Sequence, residues 1–493
     1  MFRKGMQFAL FILILWSCST ISCKSEGAIL TSLDGKSIQV AQMEEMITGI
    51  MEKAYIPGLS MAIINDNKIV YTKGFGLRSN DTPLTIDTET IMGAASLSKT
   101  IFAYLVMLLA DDGIIDLDTP LQDYLPEPLP DNPHYSDLRG DDRYKLITAR
   151  MVLSHTTGFP NWRFLTQDNK LAFLSEPGSR FGYSGEGIAL LQSVVEQITS
   201  KNLETLAQER IFQPLEMTRT SYVWQNSYDE NYASPHDRYA RSRSKGKRTK
   251  PDAAGSMQTT ATDYARFITA LLASDGRRVP LVDAMFEKQI SITSQRMFGP
   301  RSFENTNDYT NIDLGWSLGF GRFATEKGQA IFHTGNDFGY QNYTVTHVDA
   351  GIGLVLLCNS DNFESVADEL VEAAIGDTDS PFTWLGYPEY NPNMDYTPPP
   401  EPVIVEVSTD VLRTYEGKFN FQGETTITVE LRDRALWITT DGTEWTELLP
   451  ISNVFFMVNN DNTRFRFEAD ESGQINIMYI VIEGLNLPAT RID

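Results

Sequence analysis

Four things are scarce in this chain of 493 residues: cysteine, histidine, positive charge and long apolar runs. Three cysteines cannot make a disulfide framework, so the fold must be held by its core. With five histidines, and no His, Cys and carboxylate cluster at zinc-like spacing, the sequence offers no metal centre, and no cofactor is expected. Lys and Arg number 41 against 65 Asp and Glu, a net charge of −24, which argues against nucleic acid and anionic membrane surfaces as partners. The apolar run Phe8 to Trp16 is too short to cross a bilayer.

That run has the length of a signal-peptide core, behind a charged start at Arg3 and Lys4. It ends in Leu15-Trp16-Ser17-Cys18, which resembles a bacterial lipobox, with Thr20-Ile21-Ser22-Cys23 a poorer second candidate. Residues 1–23 therefore read as a lipoprotein-type signal peptide. Export to the bacterial periplasm or cell envelope is expected, with a lipid anchor at Cys18. Apolar residues make up 42% and charged residues 22%, as in a globular protein with a sizeable core. The remainder divides into a polar lead-in (24–39), a large domain (40–390), a proline-rich linker (391–402) and a small β domain (403–493).

Within the large domain, Met43 to Ala54 has helical period. Leu59–Ile64 and Lys68–Gly74 read as strands joined at Asn65-Asp66-Asn67. Ile101, Leu105, Leu108 and Leu109 repeat at helical spacing up to Gly113. Asp116 to Tyr144, rich in Pro and Asp, reads as loop and short helix. Helices follow over Ile188–Ile198, Leu203–Phe212 and Tyr264–Leu272, the last capped by Thr260. Leu314–Phe323, Gln329–Thr334, Tyr343–His347 and Ile352–Cys358 are β-like, and Cys358 is read as a buried strand cysteine. Strands near both ends of the domain, with helices between, predict an α+β fold: an antiparallel sheet covered by an inserted helical region. Past Pro398-Pro399-Pro400, six segments between Thr425 and Ile482 alternate as strands do, predicting a small barrel or curled sheet.

Chemistry concentrates on Ser96-Leu97-Ser98-Lys99. Serine and lysine three apart share a helix face, and a lysine whose pKa is depressed by burial can take a serine proton. The pattern is weak alone. Ser242–Lys245 and Ser244–Lys247 also match it, but in the basic run Arg238 to Lys250, where a lysine is expected to stay solvated and protonated. That run reads as a solvated loop or a local contact with an acidic part of the chain. Tyr183, after the Pro177-Gly178 turn, could shuttle a proton, its pKa lowered by a cationic lysine nearby. His333-Thr334-Gly335 ends a strand, where a glycine lets substrate approach and the next N–H can face an oxyanion.

These motifs, in this order, resemble those of the penicillin-recognising serine hydrolase superfamily, in the branch of class C β-lactamases, D-alanyl-D-alanine carboxypeptidases, D-aminopeptidases and related esterases. The likeness runs from about residue 40 to residue 375 and includes Leu153 to Gly158 and Gly255 to Phe267. It implies Ser96 as nucleophile, Lys99 as base and Tyr183 as proton carrier. The N–H groups of Ser96 and Asn336 would form the oxyanion hole, with His333 and Thr334 facing the substrate's carboxylate or polar end. It also implies a serine hydrolase working through an acyl-enzyme on a D-amino-acid peptide, a β-lactam or a small ester. The C-terminal domain resembles lipocalin-like appendages. One departure is plain: where the family has asparagine two residues after the tyrosine, this chain has Gly185. With His333 in place of a lysine, a weaker and pH-dependent cation, this points away from efficient β-lactam hydrolysis.

Two alternatives compete. The chain could be a penicillin-binding sensor, acylated at Ser96 but slow to release the acyl group. Or Gly315-Trp316-Ser317-Leu318-Gly319 could be the nucleophile elbow of an α/β-hydrolase, with His347 as base, which requires a strand before Ser317 and a helix after it. His155 is better read as a residue that fixes a turn.

Overall fold

The computed structural model describes residues 29–273, 282–400, 402–421, 425–440, 442–443, 445–458, 463–482 and 485–493. The signal-peptide and lipobox readings, with Cys18 and Cys23, lie outside these. No helix among the described residues is long and apolar enough to cross a membrane.

The large domain is built on an eight-stranded antiparallel sheet. Its strands are β1 (Gly58–Asn65), β2 (Lys68–Gly76), β3 (Ile290–Ser291), β4 (Gly315–Trp316), β5 (Gly321–Thr325), β6 (Gly328–Asp337), β7 (Tyr340–His347) and β8 (Ile352–Cys358), in the spatial order β2-β1-β8-β7-β6-β5-β4-β3. The first hairpin turns at Asp66 and Asn67, both in left-handed conformation, as a two-residue turn between twisted strands requires. β1, β7 and β8 are buried along their whole length. Successive side chains go to opposite faces, and here both faces are covered. Leu59, Met61, Ile63, Leu354 and Leu356 join one core. Ala62, Ile64, Val355 and Leu357 join the other. This is why these strands read as continuous apolar runs rather than alternating ones.

On the first face lie α1 (Val40–Lys53) and a C-terminal helix, Ala367–Ile375, whose Leu370 and Val371 pack with Met43 and Ile47. On the second lies the helical region, with α2 (Ser98–Asp111), α3 (Gly185–Thr199) and α4 (Ala261–Leu272). α2 is buried all round from Ser98 to Met107, as expected of a helix apolar on every side. It ends at Gly113, which takes the left-handed conformation that glycine adopts without a steric penalty. Thr260 caps α4 by accepting from the Asp263 N–H at 3.1 Å. Asp116 to Tyr144 forms short 3₁₀ turns.

The fold is α+β, with an antiparallel sheet, helices and a C-terminal barrel. That barrel is closed and has eight strands: β9 (Gly417–Phe421), β10 (Thr425–Arg432), β11 (Ala435–Thr439), β12 (Thr446–Pro450), β13 (Phe455–Val458), β14 (Arg464–Ala469), β15 (Ile475–Ile482) and β16 (Leu485–Arg491). Six of these match the segments read from alternation. The two that were not read, β9 and β16, pair with each other and close the barrel. The lead-in differs from its reading too. It holds a two-stranded hairpin, Ile29–Thr31 with Ser37–Gln39, tied to β1 by hydrogen bonds between Thr31 and Asn65.

Candidate active site

Ser96 lies in a 3₁₀ turn, Ala95–Leu97, that runs directly into α2. Ala95 has φ 48°, a left-handed conformation that costs a non-glycine residue about 1–2 kcal/mol. The turn is locked from inside. Ser98 Oγ donates to the Ala95 carbonyl at 2.6 Å and accepts from the Met257 N–H at 3.0 Å. Tyr222 donates to the Ser98 carbonyl. Ser96 is the one residue between Ile91 and Met107 that is not fully buried.

Lys99, one turn on, is 2% exposed. Its Nζ is 2.9 Å from Ser96 Oγ and donates to the Ala254 carbonyl at 2.5 Å. Burial pushes its pKa down to about 7, and the charge of Asp252 opposes part of that shift. A lysine with this pKa is half neutral near pH 7, so it can accept a proton from the serine it touches. The Ala254 segment was not marked in the sequence, because it acts through a carbonyl. It is held by Asp252, which accepts from the Ala254 N–H, and by Gln192 of α3, which accepts from the Ala253 N–H.

Tyr183 brings its ring centroid within 5.0 Å of Lys99 Nζ. Its hydroxyl is buried without a hydrogen-bond partner among the described residues, and Ser96 is the side chain that perturbs it. The expected lowering of its pKa does not occur. Burial raises it, and the contact with Ser96 offsets only part of the rise. Tyr183 is therefore a neutral phenol, able to donate and accept one proton in relay. His155, in left-handed conformation at φ 52°, positions it: the His155 ring lies 4.2 Å from the Tyr183 ring, Nδ1 accepts from the Ser184 N–H and the carbonyl accepts from the Gly182 N–H.

β6 carries the third motif past the nucleophile. Gly335 is required there, since a Cβ would stand 2.5 Å from the Ala94 carbonyl. The same approach sets Asn336 beside the turn that holds Ser96. The Asn336 side chain donates to Glu364. His333 differs from its reading as a weak cation. It is fully buried beside Trp316, with Nδ1 against the Thr334 carbonyl at 2.7 Å and Nε2 without a partner among the described residues. Burial, with the Lys99 charge, pushes its pKa down to about 3, so it is neutral wherever the protein would work. Thr334 Oγ1 is bonded to the Tyr387 hydroxyl at 2.6 Å, a contact from beyond the sheet that no local motif announces.

Gly185 opens α3, and Trp162 occupies the space that a side chain there would need. A Cβ would meet the indole at 2.5 Å. The tryptophan is held over the helix start by its neighbours. Asn161 accepts from the Gly185 N–H through both its carbonyl and its side chain, and Arg163 forms a paired contact with Glu186 at 2.7 Å.

Two readings are corrected. Ser317 is no elbow: it sits in the tight β4–β5 connection, fully buried, with both its N–H and Oγ donating to the Phe320 carbonyl, and a strand, not a helix, follows. His347 faces Asp377 at 3.3 Å instead. Lys245 is half-buried rather than fully solvated. Its amine lies 4.5 Å from the centroid of the buried Tyr340 ring, because the basic loop folds back towards β7.

Residues 43–376 match the Beta-lactamase family model. The chain belongs to the Beta-lactamase family. Protein flp of Staphylococcus aureus is 22% identical over 341 residues, 64% of this chain and 62% of that protein, so the chain matches less than two thirds of that relative's length. Penicillin-binding protein 4* of Bacillus subtilis is 23% identical over 82% of this chain and 88% of its own. Among solved structures, the octameric penicillin-binding protein homologue from Pyrococcus abyssi superposes with TM-score 0.55 at 19% identity, covering 92% of this chain and 100% of its own, and so shares the fold. Membership of this family supports a serine hydrolase at the family level.

Proposed function

We propose that this chain is a serine hydrolase that forms an acyl-enzyme at Ser96 from amide or ester carbonyls. One observation carries the reading: an amine buried at 2.9 Å from the serine hydroxyl, with its pKa near 7. Neutral Lys99 takes the Ser96 proton as Oγ attacks the carbonyl carbon. The N–H groups of Ser96 and Asn336 stabilise the oxyanion. The proton passes from Lys99, through the Tyr183 hydroxyl, to the departing amine or alkoxide, and the acyl group stays on Oγ. Water then attacks the ester and its proton passes through Tyr183 to Lys99; the C–Oγ bond breaks as Lys99 gives that proton to Ser96 Oγ, and the acid leaves.

The substrate class is narrowed by two features. Trp162 over Gly185 removes the side-chain amide that would hold an acyl amide, and His333 supplies no charge for a β-lactam carboxylate. Small esters and D-amino-acid anilides, which carry neither of these groups, are therefore proposed ahead of β-lactams. The same features favour a second reading for β-lactams alone, in which they acylate Ser96 and leave slowly. Secretion to the cell envelope with a lipid at Cys18 is proposed alongside.

A panel of nitrocefin, a D-Ala-D-Ala peptide, D-amino-acid anilides and short-chain nitrophenyl esters, with Ser96→Ala as blank, tests the reading. Sustained Ser96-dependent turnover of an ester or D-amino-acid substrate is expected. A nitrocefin rate far above the others would overturn the substrate order.

A further inference from the structure

β6 ends at Asp337, and beside it a cavity of about 190 Å³ opens next to Ala95, the residue before the nucleophile. Gly93, Gln258 and Tyr340 line it, together with Arg243, Lys245 and Arg248 of the basic loop. In a chain with a net charge of −24, this concentration of cations beside the candidate nucleophile needs a reason.

Part of the loop's charge is already answered. Arg241 pairs with Asp237, Arg243 with Asp361 and Lys247 with Asp229. Lys245 differs. Its amine stands 4.5 Å from the Tyr340 ring centroid and 5.7 Å from that of Trp224, and its contacts to described residues include no hydrogen bond or salt bridge. The side chain is half-buried. Burial and the nearby Arg248 lower its pKa to about 7, while Asp337 acts the other way. The amine also lies against the strand that leads to the nucleophile, since a Cβ on Gly93 would stand 3.3 Å from it and 2.9 Å from the Tyr340 ring. Glycine at 93 keeps this space open. A half-buried amine on aromatic faces, with no salt bridge to the described residues, gains most from an anion that enters the cavity and restores its charge and its hydrogen bonds.

We propose that this cavity is a subsite for a carboxylate on the acyl side of the substrate, with Lys245 as the specificity-determining residue. The inference rests on the acyl-enzyme reading for its direction. With the scissile carbonyl at the Asn336 N–H, β6 runs back through Thr334 and His333 on one side and on to Asp337 and the cavity on the other. The His333 side carries no cation, because His333 is neutral. The Asp337 side carries Lys245 and Arg248. Asp337 itself disfavours a second negative charge, so the subsite takes a monoanionic acyl group. Thr463 of the barrel domain lines the same cavity, so both domains border this subsite.

The test compares two esters of equal acyl length on the full chain: 4-nitrophenyl hexanoate and the mono-4-nitrophenyl ester of adipic acid, in which a carboxylate replaces the terminal methyl. The ratio of kcat/KM, charged over neutral, is expected to exceed about 10 and to fall at least about tenfold in Lys245→Met, chiefly through KM, while Lys245→Arg keeps most of it. A ratio that Lys245→Met leaves within about twofold overturns the proposal. Lys245→Gln serves in the same role if the methionine variant does not fold. Separately, calorimetry of monomethyl adipate on the Ser96→Ala chain is expected to show binding that Lys245→Met weakens at least about tenfold, and no such loss also overturns it. Should neither ester be turned over in a Ser96-dependent way, the hydrolase reading falls, and the calorimetric arm still decides the subsite.

Discussion

At the residue scale, the account depends on one protonation state. Only neutral Lys99 can take the Ser96 proton, and its pKa is lowered to about 7 by burial. Ester turnover should therefore rise with pH, plateau above about 8 and fall about tenfold per unit well below 7. A pH profile of kcat/KM from 5 to 9 measures this. His333, neutral above about pH 4, should add no further inflection near pH 6. The same burial has a cost in stability. In the unfolded chain Lys99 titrates near 10.5, so below that pH folding must either release its proton or bury its charge. Lys99→Met should abolish nearly all turnover yet melt no lower than the parent at pH 7, by thermal denaturation. A variant that kept normal activity would remove Lys99 from its role. At Gly185, asparagine cannot simply be introduced, because Trp162 fills the space. Gly185→Asn should destabilise by about 1–3 kcal/mol in denaturant titration, and Trp162→Ala in the same chain should recover part of the loss.

At the element scale, the sheet and the helices behind it set the site, and this layer was largely legible in the sequence. β1 and β8 were readable because two covered faces leave continuous apolar runs, and α2 because it is apolar on every side. Segments whose reason lies far away in the chain were not readable. β9 has only two apolar side chains in alternation, Phe419 and Phe421, and β16 is interrupted by Pro488. Among the described residues their pairing covers Ala489 to Arg491, and a proline within a strand weakens its signal in the sequence. The helix Ala367–Ile375 was missed as well, although it packs with α1 against one face of the sheet. Within the site, Ser96, Lys99, Tyr183 and the His333 strand could be found from motif order. Ala254, Trp162 and Tyr387 could not, because they act through a carbonyl, through bulk and across 53 residues of chain. Asn342 shows what ties the elements together: fully buried, it donates to the Gly93 carbonyl and accepts from the Cys358 N–H. Asn342→Ala should cost about 1–3 kcal/mol by denaturant titration, since it orphans a buried N–H and a buried carbonyl. It should also lower kcat, by loosening the strand that leads into Ser96.

At the scale of the whole molecule, the barrel has its own core. Phe419, Val429, Phe456, Phe467 and Met478 pack together in a cluster that shares no residue with either core of the large domain. The linker is fastened to the large domain before the barrel begins, where Tyr396 stacks on Tyr55 at 4.3 Å, and just ahead of the linker Tyr390 donates to the Lys53 carbonyl. A chain ending at Pro400 keeps these contacts and should fold, remain soluble and hydrolyse small esters. An insoluble product would show that the domains share stability. The claim on which all of this rests is covalent chemistry at Ser96. The most direct measurement is intact-mass and peptide mapping of the full chain after reaction with a fluorophosphonate. The account predicts one adduct per chain, on the peptide carrying Ser96, absent in Ser96→Ala and formed far more slowly in Lys99→Met. An adduct on Ser317, or labelling that survives Ser96→Ala, would contradict it.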